Sequence, residues 1–192
     1  MGPTSLSLLD RLQQRQHQED WTRFVEIYEP FIRRFIRMAP ALAADADDIC
    51  QEVMRKIISH LSRFKRSREG SFRCWLKTIT VNEVNAYWRR KGRERKVNAG
   101  TDNLIIESLA DPKNSLSEEW DREHERHVLR RIQELIEPEF TPTTWRAFQL
   151  RVLDGRASDD VAGILQISRN AVDIAKSRVL ARLRRESAGF LD

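Results

Sequence analysis

The apolar residues of this 192-residue chain recur three and four positions apart, the spacing of one face of an α-helix. The clearest run reads DADDICQEVMRKIISHL, and its apolar set is Cys50, Val53, Met54, Ile57, Ile58 and Leu61. No stretch alternates convincingly at period two, as a half-buried strand would. The sequence therefore predicts an all-α protein.

Breaker residues divide the helices into two groups. Pro30 predicts a bend or a division in the first long helix, and Gly92 predicts the end of the third. Gly, Pro, Asp and Asn accumulate after that end, as in a linker. We expect two small helical domains, residues 18–95 and 118–187, joined by a linker over 96–117.

Charge is distributed unevenly along the chain, although its net value is only +5. Residues 61–97 carry twelve Lys or Arg against three Asp or Glu, and residues 141–192 carry nine against six. Residues 98–140 between them carry eleven acidic against five basic residues. Two basic modules around an acidic segment indicate two surfaces that meet a polyanion. Chance clustering of surface charge is the alternative.

The cysteines and the N-terminal sequence argue against several classes of protein. Cys50 and Cys74 are far apart and form neither a CxxC pair nor another metal-ligand spacing, so we expect no disulfide scaffold. The N-terminal stretch has no apolar signal region, and no apolar run approaches the length of a membrane span. We expect a cytoplasmic protein without membrane insertion.

The end of the chain has the pattern of a helix-turn-helix. Ser158 and Ser168 are placed to cap two helices separated by a tight turn. In that motif the second helix enters the DNA major groove with its N-terminal residues at the base edges. The pattern assigns to base edges Asn170, Asp173, Lys176 and Ser177, and mainly to phosphates Arg169, Arg178 and Arg182. Asp173 could accept from a cytosine amino group or pair with Arg169 or Lys176. An ordinary two-helix corner is the alternative.

A second candidate surface lies on the helix that ends in YWRRK. Its aromatic residues are Trp75, Tyr87 and Trp88, and its basic residues are Arg73, Lys77, Arg89, Arg90 and Lys91. Unpaired bases stack on aromatic rings while cations follow the backbone, so this combination suits single-stranded nucleic acid. For Trp75, a place in the core is the alternative.

A third candidate surface is the polar face opposite the apolar stripe described first. It consists of Asp48, Gln51, Glu52 and Arg55. A metal-dependent phosphoesterase would use Asp45, Asp48 and Glu52, but no His accompanies them at ligand spacing, and early acids suit a helix N-terminus. We therefore favour a protein-docking face and expect no enzyme, metal or cofactor.

Three segments resemble the extracytoplasmic-function (ECF) sigma factors of bacterial RNA polymerase, which are group 4 of the sigma-70 family. They are DADDICQEV, SFRCWLKTITVNEVNAYWRRK and SDDVAGILQISRNAVDIAKSRVLARLRRE. The resemblance covers roughly residues 20–95 and 120–186, in the family's order. It implies an N-terminal bundle like sigma region 2 and a C-terminal helix-turn-helix like sigma region 4.

The resemblance also implies partners and roles. The Asp48–Arg55 face would dock on the β′ clamp helices of the polymerase core. Asn82, with Trp75, Lys77 and the loop around 64–71, would hold unpaired bases of the −10 element, and Arg89, Arg90 and Lys91 would hold nearby phosphates. The C-terminal domain would bind the β flap and read the −35 element. Many relatives are controlled by an anti-sigma factor, which we therefore expect as a partner.

The sequence departs from the family pattern at a few positions. Met54 replaces the usual aromatic, Ala86 stands where Asp is common, and Asp173, Ile174 and Ala175 replace a frequent Lys-Ser-Arg. The −35 sequence that is read can therefore differ from that of relatives. The alternative function is a free-standing helix-turn-helix regulator, which would bind duplex DNA alone and have no use for the other two surfaces.

Overall fold

The computed structural model describes residues 7–14, 17–67, 70–94 and 115–191, and all regular elements within them are helical. The helices are α1 (Leu8–Gln13), α2 (Gln18–Arg37), α3 (Ala46–His60), α4 (Ser71–Glu94), α5 (Ser115–Ile136), α6 (Pro142–Phe148), α7 (Ser158–Leu165) and α8 (Arg169–Ser187). Short 3₁₀ turns precede and follow α3 and follow α5, and a π turn extends α6. The predicted all-α fold is confirmed. The expected linker lies outside the described residues except for its last three, which begin α5.

Helix α2 contributes the largest apolar face of the core. Its buried apolar residues are Phe24, Ile27, Tyr28, Phe31, Ile32, Phe35 and Ile36. Pro30 does not divide the helix, which runs from Gln18 to Arg37. Since proline has no amide hydrogen, the carbonyl of Glu26 one turn earlier loses its usual donor. Nε of Arg131 on α5 donates to that carbonyl at 3.3 Å, so α5 compensates for the gap.

Helix α5 packs along α2 and joins the two halves of the chain in one core. The indole of Trp120 lies between Phe31 and Phe35, with ring centroids 4.7 and 4.5 Å apart. The ring of His127 donates to the Ile27 carbonyl at 2.7 Å. The sequence left open whether the halves pack together; the structure shows that they do.

The C-terminal tail enters the same core from the other side. Phe190 follows α8 and is buried with its ring 5.0 Å from Phe72 and 5.5 Å from Tyr28. The predicted end of α4 at Gly92 is wrong, because the helix continues to Glu94. A single glycine inside a helix costs only about 1 kcal/mol, which favourable neighbouring residues can offset.

Helix α1 lies before the first expected domain but belongs to the core. Ser7 and Asp10 form a reciprocal capping box, and the buried leucines of the helix are Leu8, Leu9 and Leu12. The sequence SLLDRLQ carries this signal, a cap followed by apolar residues at helical spacing.

An ion-pair cluster ties α1 and α2 to the end of α8. The Glu186 carboxylate is 1% exposed and lies 2.6 Å from Arg182, 3.0 Å from Arg11 and 3.6 Å from Arg23. Burial alone would raise the pKa of Glu186, but hydrogen bonds and charge from Arg182 and Arg11 outweigh it and hold the pKa below the usual 4.5. The carboxylate therefore stays ionised and connects both ends of the described chain.

The buried His124 makes the α2–α5 contact sensitive to pH. Its Nε2 lies 3.4 Å from the Tyr28 hydroxyl. Burial, and then the charges of Arg73, His127 and Lys77, lowers its pKa from 6.5 to about 3. In the unfolded chain this histidine binds a proton near pH 6.5, whereas in the folded chain it stays neutral down to about pH 3. The free energy of unfolding therefore has its full value above pH 6.5 and decreases as the pH falls toward 3.

We predict that the free energy of unfolding falls by roughly 1–2 kcal/mol between pH 7 and pH 5. In His124→Gln this loss becomes smaller, because the side chain no longer titrates. Urea unfolding followed by circular dichroism at both pH values measures the difference. Equal pH dependence in the two proteins would contradict a neutral, buried His124.

Candidate nucleic-acid interface

The helix-turn-helix consists of α7, a tight turn and α8. Ser168 caps α8 as predicted, its hydroxyl accepting from the Ala171 amide at 3.1 Å. Gln166 closes α7 in the left-handed conformation, with φ 53°. A small separate core supports the motif and consists of Ala147, Leu150, Val161, Val172 and Ala175.

Ser158 does not cap α7, which is a correction to the sequence analysis. It is the first residue of the helix, and Ala157 occupies the cap position. Its hydroxyl instead accepts from Arg151 at 3.0 Å and donates to the Asp173 carboxylate at 2.9 Å. Asp173 therefore fixes α8 against the start of α7, while Arg169 pairs with Asp159 at 3.4 Å. Neither of the two cations proposed as partners of Asp173 forms an ion pair with it.

The outer face of α8 carries three of the predicted DNA-reading residues. Asn170, Ser177 and Arg178 are exposed and lie on the side opposite the buried Val172 and Val179. Exposed Arg184 and Arg185 continue this face toward the helix end. Together these residues give the outer face a positive charge and hydrogen-bonding groups at the spacing of successive helical turns.

Two predicted cations of α8 lie away from this outer face. Lys176 is half-buried on the side of the helix. Arg182 is 17% exposed and binds Glu139 at 2.7 Å and Glu186 at 2.6 Å. Arg182 therefore has an internal role in this structure and is not free for a phosphate.

Helix α4 presents a second stripe on its accessible side. Trp75, Asn82 and Arg89 are seven residues apart in turn, and two turns of helix bring such positions back to nearly the same side. Trp75 is half-buried, with its ring 5.1 Å from Phe64. Both the core and the surface interpretations of Trp75 therefore hold in part.

A cavity of about 360 Å³ adjoins Trp75. Its lining residues are His60, Arg63, Phe64, Lys65, Ser67, Ser71 and Trp75. The two aromatic rings provide an apolar wall, and the basic side chains stand at its edge. Such a combination fits a planar aromatic group that carries negative charge nearby.

Lys77 lies on a different side of α4, beneath α5. Its side chain is 12% exposed, with Nζ 3.0 Å from Asp121 and 2.7 Å from the Ser117 hydroxyl. Arg73 one turn earlier pairs with Asp121 at 3.2 Å and Glu125 at 2.5 Å. Acidic side chains of α5 thus form ion pairs with the cations at the start of α4.

The predicted docking residues lie on the accessible side of α3. Asp48 and Gln51 are exposed, and Arg55 pairs with Glu52 at 2.9 Å within the helix. A cavity of about 590 Å³ separates this face from the end of α4. Its charged and polar lining residues are Asp45, Asp48, Glu52, Tyr87, Arg90 and Lys91.

Lys91 bridges that cavity. Its ammonium binds the Asp45 carboxylate and donates to the Tyr87 hydroxyl at 3.0 Å. Asp45 precedes α3 but its side chain caps no amide there. Of the three cations predicted to hold phosphates near −10, Arg89 and Arg90 are exposed, whereas Lys91 already has an acidic partner.

The described residues contain neither a cluster of metal ligands nor a helix able to span a membrane. No three His, Cys, Asp or Glu side chains in residues 7–14, 17–67, 70–94 and 115–191 converge as metal ligands would. None of the helices in this part of the chain combines the length and apolar character needed to cross a membrane.

The sequence is similar to those of known proteins. The family model for sigma-70 region 2 matches residues 24–94, which span α2 to α4. The ECF RNA polymerase sigma factor SigD of Mycobacterium tuberculosis is 28% identical over 174 residues, covering 84% of this chain and 74% of the relative. The protein of the same name from Mycobacterium bovis matches equally. The chain is thus similar to ECF sigma factors over most of its length, and its residues 24–94 match sigma-70 region 2.

The match to sigma-70 region 2 includes both the α3 face and the α4 stripe. Sequence reasoning missed Phe64 as the partner of Trp75 and the internal role of Arg182. An aromatic residue just before the basic loop was the available signal for Phe64; nothing local indicated the partners of Arg182.

The left-handed Gln166 provides a test of the turn. Glycine adopts this conformation without the steric cost of a Cβ. We predict that Gln166→Gly raises the free energy of unfolding by about 0.5–1 kcal/mol. Urea titration measures the change, and Gln166→Ala, which keeps the Cβ, should give no gain. Equal stability of the Gly and Ala variants would contradict the turn geometry.

Proposed function

We propose that the chain is an ECF sigma factor that binds core RNA polymerase through α3 and directs initiation at promoters with −10 and −35 elements. The observation that carries the proposal is the presence of three separate accessible surfaces in one chain. They are the acidic face of α3, the aromatic and basic stripe of α4, and the outer face of α8. We assign the first two to a region 2-like unit, residues 18–95, and the third to a region 4-like unit, residues 118–187, both acting in the cytoplasm.

The α4 stripe and its cavity would hold the unpaired −10 element. Bases stack on aromatic faces while cations neutralise the adjacent phosphates. Trp75 and Phe64 supply the rings, and Lys65 and Arg89 are exposed cations on either side. Asn82, between Trp75 and Arg89 on the stripe, can donate to or accept from a base edge.

The outer face of α8 would read the −35 element as duplex DNA. Asn170 lies in the first turn, where a recognition helix meets the base edges, and Arg178 lies two turns further along. Asp173 supports the geometry of the motif through Ser158. The finer assignments to the β′ clamp helices and the β flap follow the family, as does an anti-sigma partner.

Lys77 can reach nucleic acid only if α5 moves away from α4. The Lys77 ammonium and the Arg73 guanidinium are now occupied by Asp121. The proposal therefore includes a rearrangement of α5 if Lys77 takes part in −10 binding.

A free-standing regulator is the competing function. It would use the outer face of α8 alone, and neither the exposed acids of α3 nor the ring-lined cavity would have a purpose. Run-off transcription with purified core polymerase and a promoter library separates the two. Core binding and initiation from a shared −10 and −35 pair support the proposal, whereas duplex binding without core supports the regulator.

Asp48→Arg should abolish core binding and transcription while leaving the fold intact. Asp48 is exposed in the first turn of α3 and forms no ion pair with another described residue, so the reversal acts on a partner. Binding to immobilised core polymerase and run-off transcription measure the effect.

Glu19→Arg is the matched control for this prediction. Glu19 is also an exposed acid in the first turn of a helix, so both substitutions oppose a helix dipole equally. We expect the control to bind core normally. An inactive Asp48→Arg protein with normal core affinity would contradict the docking assignment.

Asn170→Ala and Lys176→Ala should both weaken recognition of the −35 element. Loss of a good base contact costs roughly 1–3 kcal/mol, or about 5- to 150-fold in affinity. We expect the larger effect for Asn170, because it is exposed on the outer face while Lys176 is half-buried. Holoenzyme binding to promoters with wild-type and scrambled −35 elements measures it, and unchanged −35 dependence in both variants would show that the reading face lies elsewhere.

A further inference from the structure

We propose that Ile174 reads the C5-methyl group of a thymine in the −35 element, which makes it a specificity-determining residue of this chain. The inference rests on the proposed function and adds one residue with a defined chemical target. The observation behind it is an exposed apolar side chain at the centre of an otherwise polar and basic helix face.

The position of Ile174 is what distinguishes it from other exposed apolar residues. Single exposed apolar side chains are common, and this chain has several. Ile174 is 42% exposed, whereas the apolar residues on the opposite side of α8 are buried against the protein. Among the exposed large apolar residues in the described ranges, it alone lies in the first two turns of the second helix of the motif.

The neighbours of Ile174 fix the direction in which it points. Asn170 lies one turn before it and Arg178 one turn after it, and both are exposed. If α8 places Asn170 at a base edge and Arg178 near a phosphate, Ile174 lies between them at the floor of the groove. No described residue covers this face, and its cations match the charge of DNA rather than an apolar protein partner.

The chemistry of the major groove selects the target. Thymine presents a C5-methyl group there, whereas cytosine has only a hydrogen at C5 next to its polar amino group, and the purines present the polar N7 with O6 or N6. A branched aliphatic side chain cannot donate or accept a hydrogen bond, so it gains only from an apolar contact. Facing cytosine or a purine, Ile174 would cover polar groups without satisfying them, which disfavours those bases.

The test uses holoenzyme assembled from the full chain and core polymerase, on a promoter obtained by selection. Each −35 thymine, on both strands, is replaced singly by deoxyuridine, which differs only by the missing methyl. We expect one position at which wild-type holoenzyme binds thymine DNA roughly three- to five-fold more tightly than deoxyuridine DNA, the effect of one buried carbon group. In Ile174→Ala the ratio at that position should fall to about one.

Ile164→Ala is the matched control. Ile164 is an isoleucine of similar exposure, 52%, on α7. The ratio of the two affinities within one variant cancels changes in folding or core binding, and the control should keep the wild-type ratio. Ile174→Ala that keeps the wild-type ratio would overturn the inference, as would a wild-type ratio of one at every thymine.

The same experiment separates this inference from the proposed function. Holoenzyme that initiates with a −35 dependence lost in Asn170→Ala, but without methyl sensitivity, overturns the role of Ile174 alone. Holoenzyme that does not initiate, or ignores the −35 element, overturns the proposed function and with it the role of Ile174.

Discussion

The contact of α5 with α2 is the interaction on which the rest of the structure depends. Pro30 leaves a backbone carbonyl without its helical donor, and Arg131 supplies the replacement. Beside it, His127 binds a second carbonyl and Trp120 fills the space between two phenylalanines. Polar and apolar contacts thus lie side by side along the α2–α5 interface. These contacts fix the C-terminal half against the N-terminal half and give both a common core.

Helix α5 has opposite chemistry on two sides. Its apolar side faces α2, and its acidic side neutralises Arg73 and Lys77 at the start of α4. The proposed nucleic-acid surfaces are therefore those that α5 does not reach. They are the stripe through Asn82 and the outer face of α8. Packing and surface charge cannot be considered separately in this protein, because the same helix determines both.

Local signals predicted much of the fold but little of the long-range pairing. The apolar stripe of α3 and the cap at Ser168 follow from residues a few positions apart, and both are present, except that Ile58 of the predicted stripe is 39% exposed. The acidic partners of Lys77, Lys91 and Arg182 are more than forty residues away in every case but one, and sequence spacing carries no record of such contacts. Consequently the helices could be predicted from the sequence, and so could the kinds of residue that form each candidate surface. Which of those residues remain exposed could not be predicted.

The two ends of α8 are held in different ways. The C-terminal end is fixed at Glu186 by arginines of α1 and α2, whereas the N-terminal end, which we propose reads DNA, rests on a small separate core. Sixteen residues of helix separate Asn170 from Glu186, a length of about 24 Å. A tilt of only about 10° at the fixed end would displace Asn170 by roughly 4 Å, more than a hydrogen bond tolerates. In the proposed DNA complex, the alignment of α8 would therefore depend on the Glu186 cluster at one end as well as on the Ser158–Asp173 contact at the other.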